Sequence, residues 1–324
     1  MEEHFSKKHL LGIILFGILI VLVQVIYSSF MSDDIFVMCD IGQGDGMYLK
    51  VGTYDIVVDA GRTKRINACI GKYMNPFNKT IELAFITNSD IDHFGGFSSL
   101  LDHYRIKTLL IPKVADKDTL YFKLLKKFKK MGTTIEFIST GDDIQLGSHA
   151  NITVLWPKDN VINLDSNLCP MGNVQVPDGL TVLCNKINQY SEVFWFQHNL
   201  GVSILFTGDV TGEVLNNYIV DNLKSNVRTN DQVTILKVPH HGSRTGLTKN
   251  ILAKSDFDLA VISAGRRNRY GHPHKEVINM LEKRSISYLV TAKEGTIVLN
   301  LKTLQFKTNS QLRFTLGEDM KSNN

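Results

Sequence analysis

A segment rich in carboxylates and imidazole follows an apolar run early in the chain. The run Leu83–Ile86 leads into the sequence TNSDIDH at residues 87–93. A strand that ends in such a turn directs several oxygen and nitrogen donors to one place, and these donors suit a hard or borderline divalent cation. For this segment alone, an exposed acidic turn that caps a helix is the alternative.

Three further apolar runs end in the same kinds of side chain. One leads into Gly208-Asp209, one into Pro239-His240-His241-Gly242 and one into Gly271-His272-Pro273-His274. Strand ends that repeatedly deliver Asp or His predict one metal site assembled from several loops.

The elements that must position these loops are read from hydrophobic periodicity. A first series of strands is predicted at Ile35–Cys39, Met47–Val51, Ile56–Val58, Leu83–Ile86 and Thr108–Ile111. A second series is predicted at Ile152–Leu155, Val193–Gln197, Ser203–Phe206, Val233–Val238, Leu259–Ile262, Tyr288–Thr291 and Thr296–Leu299. Helices are predicted at Arg65–Met74, Leu120–Met131, Gly212–Val220 and His274–Lys283, and a long loop or insertion at Asn160–Gln189. Two sets of strands interleaved with helices predict an α/β fold in which two sheets pack face to face with helices outside.

Composition sets broad limits on the protein class. The chain has 324 residues, 43% hydrophobic content and a net charge of +4, which fits a globular protein and permits an anionic substrate without requiring one. The four cysteines form no C-x-x-C pair, so a thiolate zinc site is not expected. They are either buried thiols or disulfides of an extracytoplasmic domain, and the sequence does not pair them.

The N-terminus carries an apolar stretch from Leu10 to about Tyr27. This length nearly spans a hydrocarbon core and predicts one transmembrane helix; a cleavable signal peptide is the alternative. Because Lys7 and Lys8 precede the stretch, the N-terminus is expected in the cytoplasm and the remainder outside. We therefore predict a stub and anchor at 1–31, a hydrolase domain at 32–316 and a polar tail at 317–324.

Several motifs occur in one order along the soluble part. They are CDIGQGD at 39–45, VDAG at 58–61, DIDHFGG at 90–96, FTGD at 206–209, KVPHHGS at 237–243, and SAG at 263–265 with YGHPH at 270–274. The series resembles the metallo-β-lactamase-like domain of the ComEC DNA-uptake channel family over roughly residues 35–300. The resemblance implies an αββα four-layer sandwich with a metal site at one edge of the two sheets. The family's channel is not present in this sequence, so transport is not implied.

The resemblance also implies residue roles. The predicted metal ligands are Asn88, Asp90, Asp92, His93, Asp209, His240 and His272, with either member of the His240–His241 pair matching the family position. Asp59 is expected to orient the metal-bearing loops without binding the ion. Asn88 departs from the family pattern, which usually has histidine there. A neutral amide would weaken one metal position, so one or two ions, zinc or manganese, are both compatible.

A divalent ion held this way would lower the pKa of its bound water and supply hydroxide for phosphodiester hydrolysis. We assign Asp92 to metal binding and orientation of the nucleophile, and His241 or His274 to protonation of the leaving group. Flanking cations are candidate phosphate contacts, with solvated loop residues as the alternative. They are Lys237, Arg244, Arg266, Arg267 and Arg269.

Three functions remain open from the sequence. The first is a membrane-anchored, metal-dependent phosphodiesterase or nuclease acting on DNA, which could serve DNA uptake in competence. The second is a hydrolase of another ester, such as a wall polymer or a phosphocholine headgroup. The third is a non-catalytic binding module of the same fold, which Asn88 favours. Metal content of the purified protein separates the third function from the others.

Overall fold

The chain forms two compact units, Met1–Asp33 and Asp34–Asn324. The computed structural model describes residues 7–30, 33–159, 169, 176–185, 187–223, 233–310 and 313–315. The predicted tail 317–324 and most of the predicted loop 160–189 lie outside the described residues.

The first unit contains the helix Lys7–Phe30, which covers the apolar stretch of the sequence. Its large apolar side chains from Leu10 to Val25 are exposed. In the part of the chain that the structure describes, no helix has both the length and the apolar content needed to cross a bilayer.

The second unit is built on strands numbered here in chain order. They are β1 Ile35–Met38, β2 Gly46–Val51, β3 Tyr54–Ala60, β4 Thr80–Phe85, β5 Arg105–Pro112, β6 Val114–Asp116, β7 Thr134–Ile138, β8 Asp143–Leu146, β9 Ala150–Trp156, β10 Thr181–Leu183, β11 Val193–His198, β12 Val202–Phe206, β13 Val233–Lys237, β14 Leu259–Ile262, β15 Ser287–Val290, β16 Ile297–Asn300, β17 Gln305–Thr308 and β18 Arg313–Thr315.

These strands form two large sheets and a short parallel pair. The first sheet has the order β18-β17-β16-β1-β2-β3-β4-β5-β7, and the second has the order β15-β14-β13-β12-β11-β9-β8. Strands β3, β4, β5 and β7 pair in parallel in the first sheet, as do β12 to β15 in the second. Because parallel strands place their carboxyl ends at one edge of a sheet, each sheet presents a row of strand-end loops.

Helices connect and cover these strands. The α-helices of this unit are Arg65–Tyr73, Ile91–Phe94, Phe97–Leu100, Thr119–Lys130, Gly212–Val214, Lys249–Lys254, Lys275–Glu282 and Thr291–Glu294. Short 3-10 helices occur at Ile187–Tyr190, Val220–Asn222 and Pro239–Gly242, and a π-helix occurs at Leu215–Ile219. Asp118 starts the helix Thr119–Lys130 by accepting a hydrogen bond from Leu120 N.

The central core lies between the two large sheets. Phe85 of β4 stacks on Phe194 of β11 with ring centroids 4.8 Å apart, and Phe194 stacks on Phe206 of β12 at the same 4.8 Å. Phe36 of β1 meets Phe206 edge to face at 5.9 Å. Separate apolar clusters join the outer face of each sheet to its helices. The layers therefore run helix, sheet, sheet, helix, and the mixed α/β class expected from the sequence is found.

The predicted helix Gly212–Val220 is found as consecutive α-helical and π-helical turns, Gly212–Val214 and Leu215–Ile219, which bury Leu215 and Ile219 while Tyr218 stacks on Trp156. One sequence prediction needs correction. The segment 160–189 is not wholly loop, because β10 pairs there with β6. The short strands β6, β7, β8, β17 and β18 have no prediction, because none of them contains an apolar run longer than two residues.

The cysteines form two disulfides, Cys39–Cys69 and Cys169–Cys184. The first joins the end of β1 to the helix Arg65–Tyr73. The thiol alternative considered from the sequence is therefore not what the structure shows.

Candidate metal centre

The carboxyl ends of the parallel strands bring the predicted Asp and His residues together. Asp59 lies at the end of β3, and the Asn88–His93 turn follows β4 in the same sheet. Asp209 follows β12, the His240–His241 pair follows β13, and the loop carrying His272 follows β14 in the second sheet. The site therefore lies where loops of both sheets meet.

His93 is the fully buried imidazole between two carboxylates. Its Nδ1 lies 2.9 Å from Asp59 Oδ2, and its Nε2 lies 3.2 Å from Asp209 Oδ2. Asp59 is itself held by the Thr87 backbone N–H and hydroxyl, which donate at 2.8 and 2.7 Å. Burial lowers the pKa of His93, but Asp209 and Asp59 outweigh it, so the pKa is raised well above its usual value. Asp59 contacts the imidazole from the side opposite Asp209 and fixes its orientation.

His241 forms a second such arrangement. Its Nδ1 lies 3.2 Å from Asp45 Oδ1, while its Nε2 lies 3.4 Å from Asp92 Oδ2 and 3.5 Å from Asp209 Oδ2. His240 and His241 both have left-handed backbone angles, with φ of 50° and 54°. This unusual pair of conformations turns both rings toward Asp209, and non-glycine residues rarely adopt it without a compensating contact. Burial lowers the pKa of His241, but Asp209 and Asp45 raise it to about 10.

Asp209 is shared by three histidines. Besides His93 and His241, it lies 3.7 Å from Nε2 of His240. Its backbone N–H donates to the Ser191 hydroxyl at 2.8 Å, which fixes the loop after β12. Burial raises the pKa of Asp209, but His241 and His93 hold it well below its usual value. Asp209 is therefore the common point of the site.

Asp45 belongs to the site, although no role was predicted for it. Its carboxylate is fully buried between Lys237 and His241. The preceding Gly44 has φ +119°, and a Cβ there would lie 2.2 Å from the Asp92 carbonyl oxygen, so the close approach of the two loops requires glycine. Asp45 directly precedes β2, and the two glycines before it, Gly42 and Gly44, were the signal that could have placed it here.

Two groups of side chains have the spacing to hold a metal ion. Within the described residues, Asp92, His93 and His241 form one group and Asp45, His93 and Asp209 the other, with all ligand atoms of a group within 4.8 Å of one another. Several of these atoms, including His93 Nε2, His241 Nε2 and Asp209 Oδ1, are buried without a hydrogen-bond partner in the described structure. Buried donors that converge without partners fit a divalent cation, and nitrogen with carboxylate oxygen suits zinc or manganese.

Asp90 and Asn88 stand at the margin of these groups. The pKa of Asp90 is raised to about 6, first by burial and then by Asp209 and Asp92 against the opposing effect of His93. Asn88 is 1% exposed; its amide donates to Asn188 Oδ1 at 2.7 Å, and its oxygen accepts from Asp90 N at 3.2 Å. Both atoms of the Asn88 amide are therefore engaged, and its predicted ligand role stays a prediction.

The end of the predicted loop 160–189 and the residues directly after it hold the Asn88 side of the site in place. Asn188 binds the Asn88 amide, and the Ser191 hydroxyl donates to the Thr87 carbonyl at 3.2 Å while accepting from Asp209 N. Glu192 N also donates to the Thr87 carbonyl at 2.9 Å. Residues 188–192 thus fasten the loops after β4 and β12, a role with no local sequence signal.

His272 lies against the histidine pair. Its ring centroid is 5.7 Å from that of His240 and 6.2 Å from that of His241. Burial, followed by His241 and His240, lowers the pKa of His272 to about 4, so the ring is neutral at neutral pH. His274 packs on His272 at 4.9 Å, and its Nδ1 accepts a hydrogen bond from Arg244 N at 3.2 Å. His274, a predicted general acid, therefore lies beside the site. The ring of His272 separates it from His241.

The five predicted phosphate contacts differ in their exposure to solvent. Arg244, Arg266, Arg267 and Arg269 have exposed side chains on loops that carry the site histidines. Lys237 is different: it is fully buried, its ammonium pairs with Asp45, and it donates to the Gly208 carbonyl at 2.7 Å. Lys237 is therefore poorly placed to contact a substrate. All side chains of β13 are buried, and a buried ammonium needs an acidic partner, which Asp45 supplies.

The chain is similar to curated proteins of known name. It is 30% identical over 295 residues to ComE operon protein 3 of Bacillus subtilis (strain 168), covering 86% of this chain and 34% of that protein. It is 27% identical over 267 residues to Recombination protein 2 of Haemophilus influenzae, covering 81% of this chain and 28% of that protein. The chain thus spans about a third of the length of these relatives. The resemblance to the ComEC family that the motifs indicated is confirmed.

No protein-family model matches the chain. Among solved structures, CmlA beta-hydroxylase (E377D mutant) superposes with a TM-score of 0.51 at 10% identity, covering 83% of this chain and 54% of that one. Zn(2+)-bound PqqB from Methylobacterium extorquens gives a TM-score of 0.46 at 12% identity, covering 80% of this chain and 88% of that one. The likeness to CmlA beta-hydroxylase extends to the mixed α/β fold alone.

Proposed function

We propose that this chain is a metal-dependent phosphodiesterase that acts on nucleic acid through activated water. The observation that carries the proposal is the convergence of buried ligand atoms from His93, His241 and Asp209, which face one another at ion-pair distances at the shared edge of two sheets. Similarity to ComE operon protein 3 and Recombination protein 2 supports the nucleic-acid substrate.

The side chains around the centre have separable tasks. Asp92, His93, His241 and Asp209 would hold the metal, and a bound divalent ion would lower the pKa of water and neutralise charge on the reacting phosphate. Asp59 and the Asp45–Lys237 pair fix the orientations of His93 and His241 through the nitrogen that faces away from the centre. Preorganised ligands of this kind reduce the reorganisation that binding requires.

Charge at the rim favours an anionic substrate. Arg244 lies in the loop after the histidine pair, and Arg266, Arg267 and Arg269 lie in the loop that leads to His272. Their exposed guanidinium groups suit bidentate contact with phosphate oxygens. The proposal assigns to His274, which packs on His272, the protonation of a departing oxygen.

The test is cleavage of labelled single- and double-stranded DNA by the full chain with manganese or zinc. The double variant Asp92→Ala/His93→Ala should lose at least a thousandfold in rate and most of its bound metal, because both ligand groups contain His93. The matched control is Asp102→Ala/His103→Ala, an exposed Asp-His pair away from the strand-end loops. Metal-dependent cleavage that survives in the first variant would overturn the proposal.

We also propose that the apolar stretch from Leu10 to about Tyr27 anchors the protein in a membrane with the hydrolase unit outside the cytoplasm; the proposal rests on the sequence, since no helix of the described residues meets the length and apolar content for a span. The apolar stretch from Leu10 and the preceding lysines support this orientation. The two disulfides are typical of oxidising compartments. Protease added to intact spheroplasts should degrade the hydrolase unit, whereas protection until the cells are lysed would refute the orientation. A role in DNA uptake is proposed on the relatives alone.

The engaged amide of Asn88 favours one second candidate, a binding module without catalysis. Such a module would take up little manganese or zinc during dialysis, as measured by elemental analysis of the purified chain. A loaded protein that cleaves bis(p-nitrophenyl) phosphate but no nucleic acid would instead indicate a different phosphodiester, such as a wall polymer or lipid headgroup.

A further inference from the structure

Tyr270 is an exposed aromatic residue attached directly to the candidate metal centre. Its side chain is 56% exposed, and its ring stacks on His272 with centroids 5.6 Å apart and an interplanar angle of 23°. His272 in turn packs against His240 and His241. The tyrosine therefore extends the stack of rings from the centre out to solvent.

The loop that carries Tyr270 is held in place. The Asn268 amide donates to the carbonyls of Gly265 and His272 at 2.7 and 2.8 Å, and its oxygen accepts from His272 N at 2.8 Å. Gly265 N donates to the Gln43 side chain at 3.2 Å, which ties the loop to the segment that precedes Asp45. Exposure of Tyr270 is thus a feature of an anchored loop, and an anchored aromatic ring loses little entropy on binding.

The same loop carries three exposed cations. Arg266, Arg267 and Arg269 flank Asn268, and within the described residues no carboxylate lies within ion-pair distance of them. An aromatic ring that offers a face, together with unpaired guanidinium groups, is the combination that binds an unpaired base and its neighbouring phosphates. Duplex DNA keeps its bases stacked inside and offers no free face to such a ring.

We propose that Tyr270 is a specificity-determining residue that stacks on an unpaired base beside the scissile phosphate and makes the site prefer single-stranded nucleic acid. This inference rests on the proposed nuclease function and deepens it. The arginines of the loop hold the adjoining backbone, and the His272 ring supports the tyrosine from below.

The test compares the full-length wild type with Tyr270→Ala and Tyr270→Phe on three substrates: an intact single strand, the same strand with abasic sites, and the duplex. For the intact strand, Tyr270→Ala should raise KM by about 5- to 150-fold, the range for loss of one stacked base. Tyr270→Phe should restore KM to within about threefold of the wild type, because the ring face is kept. The matched control Phe77→Ala removes an aromatic side chain that is 78% exposed and precedes the opposite end of β4, and it should leave KM unchanged.

The abasic strand separates stacking from general damage to the site. Loss in Tyr270→Ala should be much smaller on that strand than on the intact one, and bound manganese per chain should equal that of the wild type. Equal losses on both strands, or a Tyr270→Phe variant as impaired as Tyr270→Ala, would overturn the stacking role while the nuclease function stands. A wild type that cleaves no nucleic acid would overturn the proposed function and this inference together.

Discussion

Removal of the Lys237 ammonium should destabilise the unit Asp34–Asn324 strongly. Lys237 and Asp45 are both fully buried and form an ion pair, and Lys237 also donates to the Gly208 carbonyl. Lys237→Met keeps the length of the side chain but leaves the Asp45 carboxylate buried without its main counterion. Breaking a buried pair from one side typically costs about 3–5 kcal/mol, because the remaining charge stays desolvated.

The pKa of Asp45 gives an independent magnitude. Burial raises this pKa, but Lys237 and His241 outweigh it and lower it from 3.8 to about 2. The difference corresponds to about 2 kcal/mol of stabilisation at neutral pH. Because the folded-state pKa is the lower one, this contribution is complete above about pH 4 and is lost as the pH falls through about 2. We therefore expect Lys237→Met to cost about 2–5 kcal/mol at pH 7.

A double-mutant cycle with Asp45→Asn tests whether the two charges are coupled. Urea denaturation of the full chain, in mild detergent and with chelator present, should give Lys237→Met/Asp45→Asn a higher unfolding free energy than Lys237→Met alone. The exposed pair Lys127–Asp102, at 2.6 Å, is the matched cycle and should show much weaker coupling, because solvent screens it. Additive losses at Lys237 and Asp45 would refute the inference that a buried ion pair holds this part of the site.

Three further predictions follow from contacts of single residues. Asp34→Asn should lower the unfolding free energy by about 1–3 kcal/mol at pH 7. Burial raises the pKa of Asp34, but hydrogen bonds from His198 and Gly52 N lower it overall. The unfolding free energies of wild type and variant should therefore converge as the pH falls below about 4. A difference that does not change with pH would contradict this. Phe194→Ala should cost about 3–5 kcal/mol in urea unfolding, because the ring stacks between Phe85 and Phe206, and a loss near zero would place the inter-sheet core elsewhere. Gly44→Ala should weaken manganese binding at least tenfold by calorimetry through its clash with Asp92, whereas Gly141→Ala, at φ +99° with nothing within 4 Å, should not.

Local patterns in the sequence predicted much of the framework. Alternating and apolar runs located the central strands of both sheets, such as β4 and β12, because buried strands need a continuous or period-two apolar face. Asp and His at the ends of those runs indicated the metal centre, since parallel strands deliver their carboxyl ends to one edge. Strands at the margins, including β7 and β17, were missed because polar residues interrupt their few apolar ones.

Partners distant in sequence could not be predicted in this way. Lys237 ends an apolar strand and Arg266 follows one, and both are predicted phosphate contacts. Lys237 is fully buried, whereas Arg266 is exposed. The difference arises because β13 is central in its sheet and pairs on both sides, so its last side chain is enclosed and meets Asp45. The residues around Lys237 do not show that Asp45, which is distant in the sequence, will be its counterion.

The sequence by itself determined which side chains can do chemistry and at which strand ends they occur, because periodicity and turn composition are local properties. Tertiary structure alone decided that Asp45 joins the centre, that Asn188 engages the Asn88 amide, and that Cys39 pairs with Cys69. These contacts depend on how the two sheets pack and how closely their loops approach. Such long-range packing is set by the whole core, and no segment of the chain encodes it alone.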